Sequence, residues 1–146
     1  MKSLMPAMGV KDISATVRFY TDVLGFETIF TLKDDDDALV HASMKRGVVD
    51  IMFGRLNPDE PHDQGELGKG VALYTTVADT EDIDGLFAHA RKSGAEVIEE
   101  PKDQFWGHRD WTIADPDGYL IVVSKVIAHV NEQDMQELAM AGASAS

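Results

Sequence analysis

The sequence predicts an α+β fold: two tandem βαβββ modules forming a cupped mixed sheet, followed by a short C-terminal helix. Three observations predict it. The chain nearly repeats itself at an offset of 67 to 69 residues. In each copy the apolar spacing changes from helical to alternating. Turn-forming residues fall between the alternating runs.

The repeat is weak in identity and strong in order. Val10 and Asp12 of "VKDISATVRFY" correspond to Val77 and Asp79 of "VADTEDIDGLF", and Phe19 and Tyr20 to Leu86 and Phe87. "GFETI", beginning at Gly25, then meets "GAEVI", beginning at Gly94. The growth in offset predicts a second helix two residues longer than the first. Ile13, Val17, Tyr20 and Leu24 make one apolar helical face; Ile83, Leu86, Phe87 and Ala90 make the other. Asp12 and Asp79 stand where each helix needs a carboxylate to cap free N–H groups. Gly25 and Gly94 stand where each helix needs a residue that adopts positive φ cheaply.

Strands are expected at 27–32, 38–45 and 48–54, then at 95–99, 108–114 and 119–125. "KRG" and "DPDG" suit the last hairpin turn of each module. "DDDD" (34–37) is expected to be a solvated hairpin tip. The modules span 1–54 and 71–126, with "RLNPDEPHDQGELGKG" (55–70) as a linker loop rich in Gly, Pro and acid. Residues 127–146 are expected to hold a short amphipathic helix before a frayed "ASAS" tail. The whole is expected to form one structural domain.

Composition excludes several classes. The 146 residues contain no cysteine, so disulfides and thiolate metal sites are out. Against 13 basic residues stand 26 acidic ones, a net charge of −13, which repels nucleic acid and anionic membranes and draws cations. "MKSLMPAMGVKD" has no apolar run of the signal-peptide kind, and no stretch approaches the roughly 20 apolar residues of a membrane span. A soluble, cytoplasmic protein is expected.

Strand alternation assigns faces. Val71, Leu73, Thr75 and Val77 share one face; Ala72, Tyr74 and Thr76 share the other. Val49, Ile51 and Phe53 oppose Asp50, Met52 and Gly54. The apolar faces should lie under the helices. The mixed faces should line a trough where a small molecule binds, with Tyr74 and Met52 in its wall. Trp111 shares a face with Ile113 and belongs to the core. His108 and Asp110 share the opposite face, either as a titrating pair or as ordinary hydrogen-bonded polar groups. Arg109 is free to fix the hairpin through an acid. His89 belongs to a surface or an interface.

The paired modules, "FYTDVLGF" (19–26) and "DPDGYLIVV" (115–123) resemble the vicinal oxygen chelate superfamily of glyoxalases, extradiol dioxygenases and bleomycin-resistance proteins. The resemblance spans about residues 4–125. It implies, for metal-using members, ligands on the first and last strand of each module. The matching positions here are Met5, Met52, Ala72 and Val122, none of which supplies the carboxylate or imidazole such ions need. Asp50 is a lone carboxylate, and the five histidines are scattered. No metal and no cofactor are therefore expected.

"DQFWGHRDWTIADPDG" (103–118) resembles the bleomycin-resistance branch, where a tryptophan before glycine lines the drug groove. That resemblance implies a ligand-stacking role for Trp106; the plain alternative is a loop tryptophan folded over the core. It also implies a homodimer in which grooves form between halves of two subunits and strands are exchanged. The expected function is sequestration of a small, partly aromatic molecule, cationic by the acid surplus, at Trp106, His108, Asp110, Tyr74 and Met52. The alternatives are a lyase, isomerase or dioxygenase of the same superfamily, or a non-catalytic dimeric scaffold.

Overall fold

The computed structural model describes residues 1–145, with side chains described through Gly142. The first module runs β1 (Ala7–Val10), α1 (Ile13–Asp22), β2 (Glu27–Lys33), β3 (Leu39–Arg46) and β4 (Val49–Arg55). The second runs β5 (Ala72–Thr76), α2 (Ile83–Lys92), β6 (Glu96–Asp103), β7 (His108–Ala114) and β8 (Leu120–Val126), and α3 (Glu132–Ala145) follows. Each module makes its own four-stranded mixed sheet. The orders are β1-β4-β3-β2 and β5-β8-β7-β6, with the first strand parallel to the last in each.

The sequence repeat is a structural repeat, but the extra residues do not lengthen the second helix. Both helices have 10 residues. The insertion lies in the loop before α2, and it moves the cap. Asp12 accepts from Ala15 N at 3.1 Å as expected, whereas Asp82, not Asp79, accepts from Gly85 N at 3.1 Å. "ADTEDIDG" holds four acids, and only Asp82 stands immediately before the helix, where its carboxylate reaches a first-turn N–H. Gly25 and Gly94 do end the helices at positive φ. β6 also runs on to Asp103, past the expected 99, with its ladder irregular between Val97 and Glu99 and between Glu99 and Lys102. The C-terminal helix continues to Ala145 through most of the expected frayed tail; Ser146 lies outside the described residues.

Asp34 organises the acidic hairpin tip. Its Oδ1 accepts from Asp36 N and Ala38 N, and its Oδ2 from Arg55. These bonds, led by the Ala38 amide, hold its carboxyl below the usual carboxylate range.

One apolar cluster joins the helix-side faces of both sheets. It runs from Val10, Tyr20 and Phe53 to Phe87, Trp111 and Ile121. Burial removes this surface from water and supplies the main drive to fold. Polar bonds pin the modules together around it. The Tyr20 hydroxyl donates to Asp115 at 3.0 Å, the Lys11 amide to Asp117 at 3.0 Å, and the Tyr119 hydroxyl to the Gly9 carbonyl at 2.8 Å. The "DPDGY" turn is thus a clamp on the first module as well as a hairpin. Burial pushes the Asp115 carboxyl above its usual range, and burial with that carboxylate pushes the Tyr20 hydroxyl up. His89 bonds the Asp22 carbonyl through Nε2 at 2.7 Å, so it is an interface histidine between α2 and α1.

Candidate functional site

The second sheet has one face in the core and one turned away from it, on which Ser124, Asp110 and Thr112 are buried and Tyr74 is exposed. Trp111 sits in the core at 1% exposure; its ring lies 5.6 Å from that of Phe87, and its indole N–H donates to the Ile83 carbonyl at 3.0 Å. Arg109 reaches past it to Asp84 (2.9 Å) and Asp103 (2.8 Å), tying the β6–β7 hairpin to α2. Those bonds, Asp103 first, raise its already high pKa.

The open face carries the alternate residues. Strand register sets Thr76, Ser124, Asp110 and Lys102 in a row across four strands. Beside it runs Tyr74, Val122 and Thr112. His108 pairs with Val126 at the end of β7. Trp106 precedes that strand. Gly107, at φ 88°, holds it in place: the Gly107 carbonyl accepts from Ile127 N (2.8 Å) and Ala128 N (3.0 Å).

This geometry brings three of the expected residues together. The Trp106 indole N–H donates to the Tyr74 hydroxyl at 3.2 Å, and that hydroxyl lies 3.0 Å from His108 Nδ1. Ser124 Oγ lies 3.4 Å from the same nitrogen. Phe105 meets the Trp106 ring edge-on at 4.9 Å. Asp110 shares the face but not the bond: its partner is Gln104 Nε2 at 2.9 Å, and it is buried. His108 and Asp110 therefore do not form a hydrogen-bonded pair. The partners Tyr74 and Ser124 come from β5 and β8, which sequence spacing cannot reveal.

Met52 is set apart. It lies on the open face of the first sheet, opposite Ala7 and Ser43, with no ring contact or hydrogen bond to the Trp106 group among the described residues. Sequence reasoning missed its surroundings. The Phe30 and His41 rings stack at 5.3 Å, and His41 Nε2 lies 2.9 Å from Ser43 Oγ. The alternation of His41, Ser43 and Lys45 against Ala42 and Met44 carried that signal. Because the sheets share a core through their helix-side faces, these two open faces do not close on each other into a trough within one chain. A cavity of about 590 Å³ lies instead between the modules, walled by β5, the β3–β4 hairpin, Tyr20 and Trp111; Trp106 and His108 do not line it.

No three His, Asp or Glu side chains converge on a metal-binding geometry among the described residues. At the four family positions, Met52 and Val122 lie in the last strands, Ala72 in β5 and Met5 just before β1. Thioether, methyl and isopropyl groups cannot replace water around a hard divalent ion. The residues present do not fit the family's metal.

Tandem βαβββ modules with these features define a class, and the comparisons agree. The chain belongs to the glyoxalase/bleomycin resistance protein/dioxygenase superfamily, whose family model matches residues 4–123. It is 30% identical over 129 residues to the bleomycin resistance protein of Geobacillus stearothermophilus, covering 83% of this chain and 94% of that one. It is 26% identical over 121 residues to virulence protein STM3117 of Salmonella typhimurium, covering 81% and 79% of the two chains. Among solved structures, TioX from Micromonospora sp. ML1 superposes with a TM-score of 0.66 at 20% identity, over 87% of this chain and 100% of that one. At that identity the last likeness speaks for fold alone. No helix is long and apolar enough to cross a membrane among the described residues.

Proposed function

We propose that the protein binds a small, partly aromatic molecule on the open face of its second module, holds it without metal chemistry, and works as a homodimer. The observation that carries this reading is the aromatic wall. Tyr74 (49%) and Phe105 (44%) are exposed and Trp106 is half-buried, on a sheet face opposite the helix. Grouped exposed aromatics on a soluble chain mark a recognition surface, and Trp and Tyr each offer a flat apolar face with a polar handle. The side chains at positions 5, 52, 72 and 122 support binding without a metal. Likeness to bleomycin resistance proteins supports sequestration of a toxic aromatic compound, and the charge of −13 favours one that carries a cation.

Replacing Trp106 by alanine should weaken binding of bleomycin, or of whichever aromatic antibiotic a thermal-shift screen with and without divalent metals selects, by about 10-fold or more. Titration calorimetry on wild type and variant makes the check. An unchanged Kd removes Trp106 from the site.

The sheet edges support the dimer. β2 and β6 are edge strands with charges and register irregularities, and β6 also has Pro101. Such features keep an edge from pairing. The other two edges, β1 ("AMGV") and β5 ("ALYTT"), have no charge, no proline and no bulge. A second copy of this chain suits them, since a two-fold axis covers the β1 and β5 edges of both copies and closes the assembly. Val77 N donates to Ser124 O (2.8 Å), so alternation turns the backbone groups of Ala72, Tyr74 and Thr76 toward the free edge. Ala72→Pro removes one edge donor and no intrachain ladder bond. It should leave the circular-dichroism spectrum unchanged and convert the sedimenting species from dimer to monomer. A folded variant that still sediments as a dimer rules this edge out.

A further inference from the structure

We propose that Trp106, Tyr74 and His108 form a one-way hydrogen-bond relay that fixes His108 as its Nε2–H tautomer, so that the wall presents one donor in a set place and selects aromatic ligands carrying an acceptor oxygen beside the ring. This rests on the reading that the ligand lies on this face.

The first step of the relay has a forced direction, and the second is proposed to follow it. An indole N–H donates and cannot accept. At 3.2 Å from Trp106 Nε1, the Tyr74 oxygen is therefore the acceptor, and its single proton is left for its other neighbour, His108 Nδ1, at 3.0 Å. Nδ1 accepts that proton and has no room for its own. In a neutral ring the proton then sits on Nε2, because the bond made at one nitrogen sets the state of the other.

Ser124 does not compete with Tyr74 as a donor to Nδ1. Its Oγ is 3.4 Å from Nδ1, but its proton goes to the Thr75 carbonyl at 2.8 Å, a bond inside the sheet. Nδ1 is thus enclosed by Tyr74 and Ser124, while Nε2 has no hydrogen-bond partner among the described residues. The reverse arrangement, with Nδ1–H as a second donor to the Tyr74 oxygen and the Tyr74 proton turned to solvent, is the outcome that a pyrrole-type Nδ1 would reveal.

The consequence is chemical selectivity. A donor oriented before binding loses little freedom when a ligand arrives. A site built around such a donor discriminates against an analogue that lacks the matching acceptor. The Trp106 ring stands two bonds up the same relay, so one ligand can stack on the indole and place a carbonyl or carboxylate oxygen at Nε2. Tyr74 is the positioning residue in this scheme, since it acts through His108.

Long-range proton–nitrogen NMR of the ring nitrogens tests the tautomer without any ligand, at about pH 8.5, above the ordinary imidazole range. Wild type should give a pyridine-type Nδ1 and a pyrrole-type Nε2. Trp106→Phe keeps a ring but removes the N–H, and Tyr74→Phe removes the relay; both should move the two shifts toward an average. A pyrrole-type Nδ1 in wild type overturns the proposal. Acetophenone and ethylbenzene, which differ by one acceptor oxygen, then serve as probes. Acetophenone should bind wild type about 10-fold more tightly, a hydrogen bond's worth, and that ratio should fall toward one in both variants. Equal affinity of the two probes for wild type, or no movement of the His108 resonances with either, overturns the acceptor subsite. Failure of the face itself has a different signature: Trp106→Ala would then leave antibiotic binding intact while the ring-nitrogen pattern stayed as proposed.

Discussion

Trp111→Ala should cost about 3–5 kcal/mol of folding stability, the range for deleting a fully buried large aromatic. The ring is 1% exposed, packs on Phe87, and its N–H donates to the Ile83 carbonyl at the start of α2. Alanine leaves a cavity and removes one donor from the Ile83 carbonyl, which keeps its bond within the α2 ladder. Urea unfolding followed by circular dichroism measures the change. The same substitution at Trp106, half-buried in a loop, should cost far less while affecting binding more. Equal destabilisation at the two positions would mean that Trp106 is a core residue and would remove the basis of the aromatic wall.

Gly107→Ala is expected to destabilise by about 3 kcal/mol and to displace Trp106. Left-handed backbone costs a residue with a Cβ roughly 1–2 kcal/mol. Space is the larger obstacle: a Cβ on Gly107 would fall 2.1 Å from the Ala128 carbonyl oxygen. Relief requires moving the 127–128 backbone, whose two amides donate to the Gly107 carbonyl. Each of those bonds contributes about 1 kcal/mol. Gly47→Ala is the internal control, with φ 59° and nothing within 4 Å of its new Cβ, so it carries the conformational cost alone. Thermal unfolding of both variants, with tryptophan emission to report the indole environment, makes the comparison. Equal melting temperatures for the two would show that Gly107 is needed only for its φ and does not anchor the wall by close approach.

The module order, the two amphipathic helices and the helix-ending glycines were all legible in the sequence, because each rests on spacing or on a single residue's backbone preference. The helix cap was not. Asp79 matched Asp12 by alignment, yet Asp82 does the work, since an insertion in a loop leaves no periodic trace. The core tryptophan was readable from alternation with Ile113. Arg109 was readable as a hairpin fastener, though α2's Asp84 as a second partner was not.

At the site, alternation set Tyr74, His108 and Asp110 on the face away from the helix, but it could not pair them. It left His108 and Asp110, two residues apart on one strand, either as a pair or as separately bonded polar groups. The structure gives His108 to Tyr74, 34 residues away, and Asp110 to Gln104. It also separates Met52 from the rest and brings Phe30, His41 and Ser43 to its neighbourhood.

The sequence alone determined which side chains point into the core and which away from it, because the periods of helix and strand are fixed by covalent geometry and extend only a few residues. The tertiary structure alone decided which outward groups touch, since a hydrogen bond between strands depends on register, and register is settled by the burial of the opposite faces. The meeting of Trp106, Tyr74 and His108 is a property of that register and of no shorter stretch of chain.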